Sequence, residues 1–283
     1  MATRGAAARE HLERLLCVAT CLAQGGYGAQ VAQLAACARV FYSDAQVWAA
    51  QAHHRGRRGR THLMHAALMG STARLQYLLD RGAAVEAASV RGWTALMFAS
   101  DKGHQETARC LVERWGASVD AATVNNGTTA LMSASFNGHL ETVRCLVKRG
   151  CANVNAARTT NGATALMWAS QKGHLEIVRF LVKCGGINVN AARATDGMTA
   201  LMWASVNGNL EMVRCLVERE GVNVNAARTS NGWTALMAAS AQGHLAVVSL
   251  LLQHGADRHA LSHAGETAHA LAASHPLVQA ALA

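Results

Sequence analysis

Three arginines, Arg158, Arg193 and Arg228, recur at a constant step of 35 residues, and tryptophans follow them closely in the chain. A guanidinium beside an indole suits an acidic peptide, because its planar fork pairs with a carboxylate through two parallel hydrogen bonds. The same pair suits phosphates and stacked bases, and a solvated, solubilising edge also carries arginines. Two further rows share the step. One holds Trp93, Thr128, Ala163, Met198 and Trp233; the other holds Phe98, Ser133, Trp168, Trp203 and Ala238. Four of the chain's six tryptophans fall in these rows, and aromatic anchors are what protein interfaces use. The alternative for Trp168 and Trp203 is that they cover the seam between successive units. Just beyond the second row come Asp101-Lys102, Phe136-Asn137 and Gln171-Lys172, which add Lys102, Phe136 and Lys172 to the candidates.

Other reactive side chains repeat without converging. His104, His139, His174 and His244 each follow a glycine, but histidines a whole repeat apart cannot share an ion whose ligands sit near ~2 Å. Cys110, Cys145 and Cys215 occupy equivalent places, and Phe180 fills the same slot, which argues for packing rather than thiol chemistry. Cys17, Cys21 and Cys37 lack a fourth ligand at convincing spacing. No phosphate-binding loop, no Gly-x-Ser-x-Gly and no His-Glu-x-x-His occurs. The expectation is a binding protein without catalytic residues, cofactor or metal.

A repeat must position these rows. Glycine followed two residues later by threonine occurs at Gly59/Thr61, Gly92/Thr94, Gly127/Thr129, Gly162/Thr164, Gly197/Thr199, Gly232/Thr234 and Gly265/Thr267. The five internal threonines each precede Ala-Leu-Met. In one unit, Thr164 caps a short helix over 165–172 that stops at Gly173, where glycine tolerates a left-handed turn. A second helix over roughly 175–183 places Leu175, Val178, Leu181 and Val182 on one face. Residues 189–196 then read as a hairpin-like connection. Neither helix can bury its apolar side alone, so the units stack. Along the second helices, Glu106/Arg109, Glu141/Arg144, Glu176/Arg179 and Glu211/Arg214 read as solvated pairs.

These residues resemble the ankyrin repeat. Its Gly-x-Thr-Pro-Leu-His opening stands here as Gly-x-Thr-Ala-Leu-Met, its Gly-His junction recurs, and its Val-Asn-Ala tail appears at Val154-Asn155-Ala156, Val189-Asn190-Ala191 and Val224-Asn225-Ala226. The resemblance implies a mostly α fold: an ankyrin-repeat solenoid of stacked helix-turn-helix units over 59–283, with repeats starting near 59, 92, 127, 162, 197, 232 and 265. It also implies ligand docking on the side formed by the hairpin tips and first helices, and a structural role for the Gly-His histidines. The final unit departs from the pattern, with His269 where a core leucine is expected, which suits a solvent-facing cap.

Before the repeats, residues 1–52 suggest two or three helices, followed by a basic linker over 53–58. One reading is a helical cap for the first repeat. The other comes from Val31 to Trp48, which looks like the second half of an F-box and implies contact between residues 12–48 and a ubiquitin-ligase core; the family's Leu-Pro opening is absent. The net charge is +9, and residues 1–60 hold eight arginines against three acids. The run Arg55–Arg60 suits a linker, a nuclear-import signal or a phosphate patch. It lacks interleaved aromatics, so nucleic acid is disfavoured as partner. No apolar stretch approaches the ~20 residues that span a bilayer, and no cysteine spacing calls for oxidation. The expected setting is cytoplasmic or nuclear.

Overall fold

The structure, a computed structural model, describes residues 57–283. The helices expected before residue 53, the F-box-like segment and most of the basic linker lie outside the described residues. The chain divides into two compact units, Met1–Asn125 and Asn126–Ala283.

The first unit contains α1 (His62–Leu68), α2 (Thr72–Asp80), α3 (Ala95–Asp101) and α4 (Gln105–Glu113). Its first helices, α1 and α3, pack on each other, as do its second helices, α2 and α4. The second unit runs through α5 (Ala130–Asn137), α6 (Leu140–Lys148), α7 (Ala165–Lys172), α8 (Leu175–Val182), α9 (Ala200–Val206), α10 (Leu210–Val217), α11 (Ala235–Ala241), α12 (Leu245–Gln253), α13 (Ala268–Leu271) and α14 (Pro276–Leu282). Here the odd-numbered helices form one layer and the even-numbered helices the other, each packing on its counterpart one repeat away. No strand occurs among the described residues. The connections carry isolated antiparallel bridges instead, Ala157 with Thr164 and Ala192 with Thr199.

Each first helix starts for the same reason. The hydroxyl of Thr61, Thr94, Thr129, Thr164, Thr199, Thr234 or Thr267 accepts the N–H three residues on, at 3.3–3.4 Å. Such a cap stabilises a short helix by about 1 kcal/mol. The Leu-Met pairs that follow are buried, from Leu96 and Met97 through to Leu236 and Met237. These helices are too short to stand alone, so packing holds them.

Three devices tie one repeat to the next. The Gly-His histidines reach back a repeat: His104 Nε2 lies 3.0 Å from the Leu68 carbonyl, His174 Nε2 3.0 Å from that of Phe136, and His244 Nε2 3.0 Å from that of Val206. Gly138 makes room for this, since a Cβ there would lie 2.6 Å from His174 Cε1. The tails contribute an asparagine ladder. Asn155 donates to the Gly186 carbonyl (2.7 Å) and accepts from the Asn188 N–H (2.8 Å). Asn190 does the same with Gly221 and Asn223, and Asn225 with Gly255 and Asp257. The tips add backbone bonds, with the Thr159 and Ala194 N–H groups donating to the Asn126 and Asn161 carbonyls.

Candidate protein-binding face

In the second unit, each arginine of the 35-residue row stands at the base of a tip loop. The Arg158 N–H donates to the Ala163 carbonyl, Arg193 to Met198 and Arg228 to Trp233, all at 2.9 Å. The loops close again where Gly162, Gly197 and Gly232 donate to the arginine carbonyls at 2.8 Å. The base of each loop thus lies beside the start of the next first helix, and the side chain turns onto that helix. Arg158 Cζ lies 5.6 Å from the centroid of the Trp168 ring, and Arg193 Cζ 5.6 Å from that of Trp203. Ala238 fills the corresponding slot after Arg228. Arg228 instead donates through Nη2 to Asp196 at 3.5 Å.

Asp196 decides the electrostatics of this row. It accepts two bonds from Arg193, Nε to Oδ1 at 3.0 Å and Nη2 to Oδ2 at 2.7 Å, in addition to the one from Arg228. The carboxylate is largely buried, with 16% of its side chain exposed. At the equivalent place after Arg158 stands Asn161, whose Oδ1 accepts the Ala163 N–H at 3.1 Å and carries no charge. No ion pair of Arg158 occurs among the described residues, and its Nε is buried without a hydrogen-bond partner.

The aromatic candidates sort themselves by burial. Phe136 meets Trp168 edge-on, with ring centroids 5.1 Å apart and planes at 79°. Lys172 Nζ stands 4.5 Å from the centroid of Phe136. Phe136 is 36% exposed, and Trp168, Trp203 and Trp233 are half-buried. Met198 is buried at 3% exposure. Ala163 in the same row is equally covered, whereas Thr128, Trp93 and Trp233 are partly exposed. In the first unit, Phe98 is also buried, at 6% exposure. Trp93 packs against it at 5.1 Å, and Arg60 Cζ lies 4.9 Å over its ring. Phe98 and Met198 therefore support neighbouring side chains and present little surface of their own. Lys102 pairs with Asp101 at 3.0 Å.

The other repeated side chains serve packing and solubility. Arg144 pairs with Glu141 at 3.0 Å, and Arg179 meets both Glu176 (3.7 Å) and Glu211 of the next repeat (3.6 Å), all well exposed. A groove of about 370 Å³ lies on this second-helix side, lined by Arg179, Lys183, Glu211 and Cys215 among others. Within it Glu211 already pairs with Arg179 and Arg214. Burial pushes the thiols of Cys184 and Cys215 above their ordinary pKa, which disfavours the reactive thiolate. Among the described residues no cluster of three His, Cys, Asp or Glu could hold a metal, and no helix is long and apolar enough to cross a membrane.

Stacked pairs of short capped helices joined by looped tips define the ankyrin-repeat class. The chain belongs to the ankyrin-repeat family: the family model "Ankyrin repeats (3 copies)" matches residues 16–123, 118–193 and 186–262. The first of these spans begins at residue 16 and so runs through the segment that resembles an F-box. The structure is similar to that of the ankyrin repeat domain of Bcl-3, a member of the IkappaB protein family, with TM-score 0.68 and 27% identity over 80% of this chain and 99% of that one. It is also similar to the human ASB11 ankyrin repeat domain, with TM-score 0.66 and 28% identity over 79% of this chain and 96% of that one. No curated protein matches the sequence.

Proposed function

We propose that the chain acts by binding another protein and carries no catalytic chemistry of its own, with the tips and first helices of the second unit as the docking face. The observation that carries this reading is the location of the partly exposed aromatics. Phe136, Trp168 and Trp203 occupy positions that vary between otherwise near-identical repeats, and each has a cation on its ring. Phe98 in the same row as Trp168 and Trp203 is buried, so it is the partial exposure of the two tryptophans that marks them. Family membership supports the same reading, since ankyrin repeats generally serve as protein-interaction modules. For residues 1–52 we favour a helical cap over a ligase-binding F-box, supported by the repeat match that starts at residue 16.

The test is affinity capture from cell lysate, comparing the wild type with a Trp168→Ala/Trp203→Ala variant by quantitative mass spectrometry. The expected result is a partner lost from the variant while its helical circular dichroism stays intact. An identical set of captured proteins, or a variant that has lost its helices, would show that the rings belong to the core. In the same experiment, ligase-core subunits lost on Trp48→Ala would restore the adaptor reading.

A further inference from the structure

We propose that the Phe136–Trp168 pair receives a short acidic–apolar–acidic segment of a partner protein, with Arg158 and Lys172 meeting its carboxylates. This deepens the docking reading above and rests on it. The argument begins with the fate of each cation. Arg193 donates a bidentate pair of bonds to Asp196, and Arg228 donates one longer bond to the same carboxylate. Asp196 engages both guanidinium groups and offsets one of their two charges within the chain.

Arg158 sits on the same scaffold without such a carboxylate. Asn161 keeps the turn-forming bond that Asp196 also makes, 3.1 Å to the Ala163 N–H against 3.2 Å to the Met198 N–H. It does so without supplying an anion. The guanidinium is half-buried over an indole, and its Nε, like that of Arg228, is shielded from water with no acceptor; what sets Arg158 apart is that no carboxylate among the described residues pairs with it. A buried charged donor left without a partner is costly, so an incoming carboxylate gains more here than at an exposed arginine.

The geometry then selects the rest of the ligand. Arg158 lies on Trp168, Trp168 meets Phe136, and Lys172 lies on Phe136. Two cations thus bracket one partly exposed aromatic pair. That pattern matches an apolar side chain flanked by acids. A nucleic-acid strand would call for a run of available cations along the tips, to contact successive phosphates. Asp196 already engages two of the three arginines, Arg193 closely and Arg228 at 3.5 Å, which interrupts such a run.

The test is selection of a phage-displayed random peptide library on the full chain, followed by affinity measurement of the selected peptides. The expected peptides carry Asp or Glu on both sides of an apolar residue. They should bind Arg158→Gln and Lys172→Gln at least tenfold more weakly, and Arg228→Gln within twofold of wild type. Lys172 is exposed, so its variant folds regardless of the fate of the others. Neutral or basic peptides that are lost on Trp168→Ala would overturn the acidic specificity and leave the docking face standing. Acidic peptides that bind Arg158→Gln and Lys172→Gln as tightly as wild type would overturn it too. Peptides indifferent to Trp168→Ala, or an empty selection, would count against the docking face itself. Salt-sensitive binding of a single-stranded oligonucleotide that requires Arg158, in place of peptide binding, would assign the site to nucleic acid.

Discussion

The tip bearing Arg158 and the tip bearing Arg193 share a backbone plan and differ in their charge balance. Both arginines close a loop through the same pair of main-chain bonds, and both lie 5.6 Å from the centroid of a tryptophan one turn into the following helix. Three residues on, one loop has Asn161 and the other has Asp196. That exchange of an amide for a carboxylate gives Arg193 an ion pair that Arg158 does not have among the described residues. On the proposal above, near-identical units divide the work, one arginine holding the fold and its counterpart meeting the partner.

The sharpest way to break this comparison is to remove the rings. Trp168→Ala should cost about 2 kcal/mol of peptide affinity, the scale of an interface hot spot, when titrated by fluorescence anisotropy. Trp203→Ala, whose neighbouring arginine is held by Asp196, should change affinity less than threefold. Equal losses would mean that Asp196 does not distinguish the two tips.

The fold was legible in the sequence because each element carries its own local signal. The seven threonine caps, the glycine stop at Gly173 (φ 81°) and the buried Leu-Met pairs all act within one repeat, where spacing alone reports them. The rows bearing the candidate site were legible for the same reason, since variation within a regular repeat stands out. What escaped was pairing between repeats. The asparagine ladder joins Asn155, Asn190 and Asn225 to backbone groups about thirty residues away, and a backbone group has no side-chain identity for a pattern to show. Asp196 escaped because it stands inside a polar connection, where a single acid looks like solvation. The burial of Phe98 follows from Arg60 and Trp93, which pack on its ring, a contact that spacing in the sequence does not report.

A finer test converts one tip into the other. Asn161→Asp keeps an oxygen able to accept the Ala163 N–H and supplies Arg158 with the carboxylate that Arg193 already has. Affinity for acidic peptides should fall about tenfold, or roughly 1.4 kcal/mol, and thermal stability should hold or rise slightly. Unchanged affinity would show that Arg158 does not contact the ligand.

The reverse substitution carries the smallest expected effect and probes both roles of the carboxylate at once. Asp196→Asn removes the Oδ2 acceptor of two charged hydrogen bonds and the negative charge behind a third, but keeps the side-chain oxygen that the Met198 N–H donates to, so the turn itself should survive. The full loss of a buried charged pair would be larger, but 22% of the Arg193 side chain and 27% of that of Arg228 remain exposed, and water screens much of the difference. A destabilisation of about 1 kcal/mol is expected, read as a lower denaturant midpoint with unchanged slope. The substitution also releases Arg193 beside Trp203, which should give the second unit a second acid-binding tip. Isothermal titration should then show two acidic peptides bound per chain where the wild type binds one. If stability falls and stoichiometry does not rise, Asp196 is purely structural, and the distinction between the tips comes from the Phe136–Lys172 side of the site.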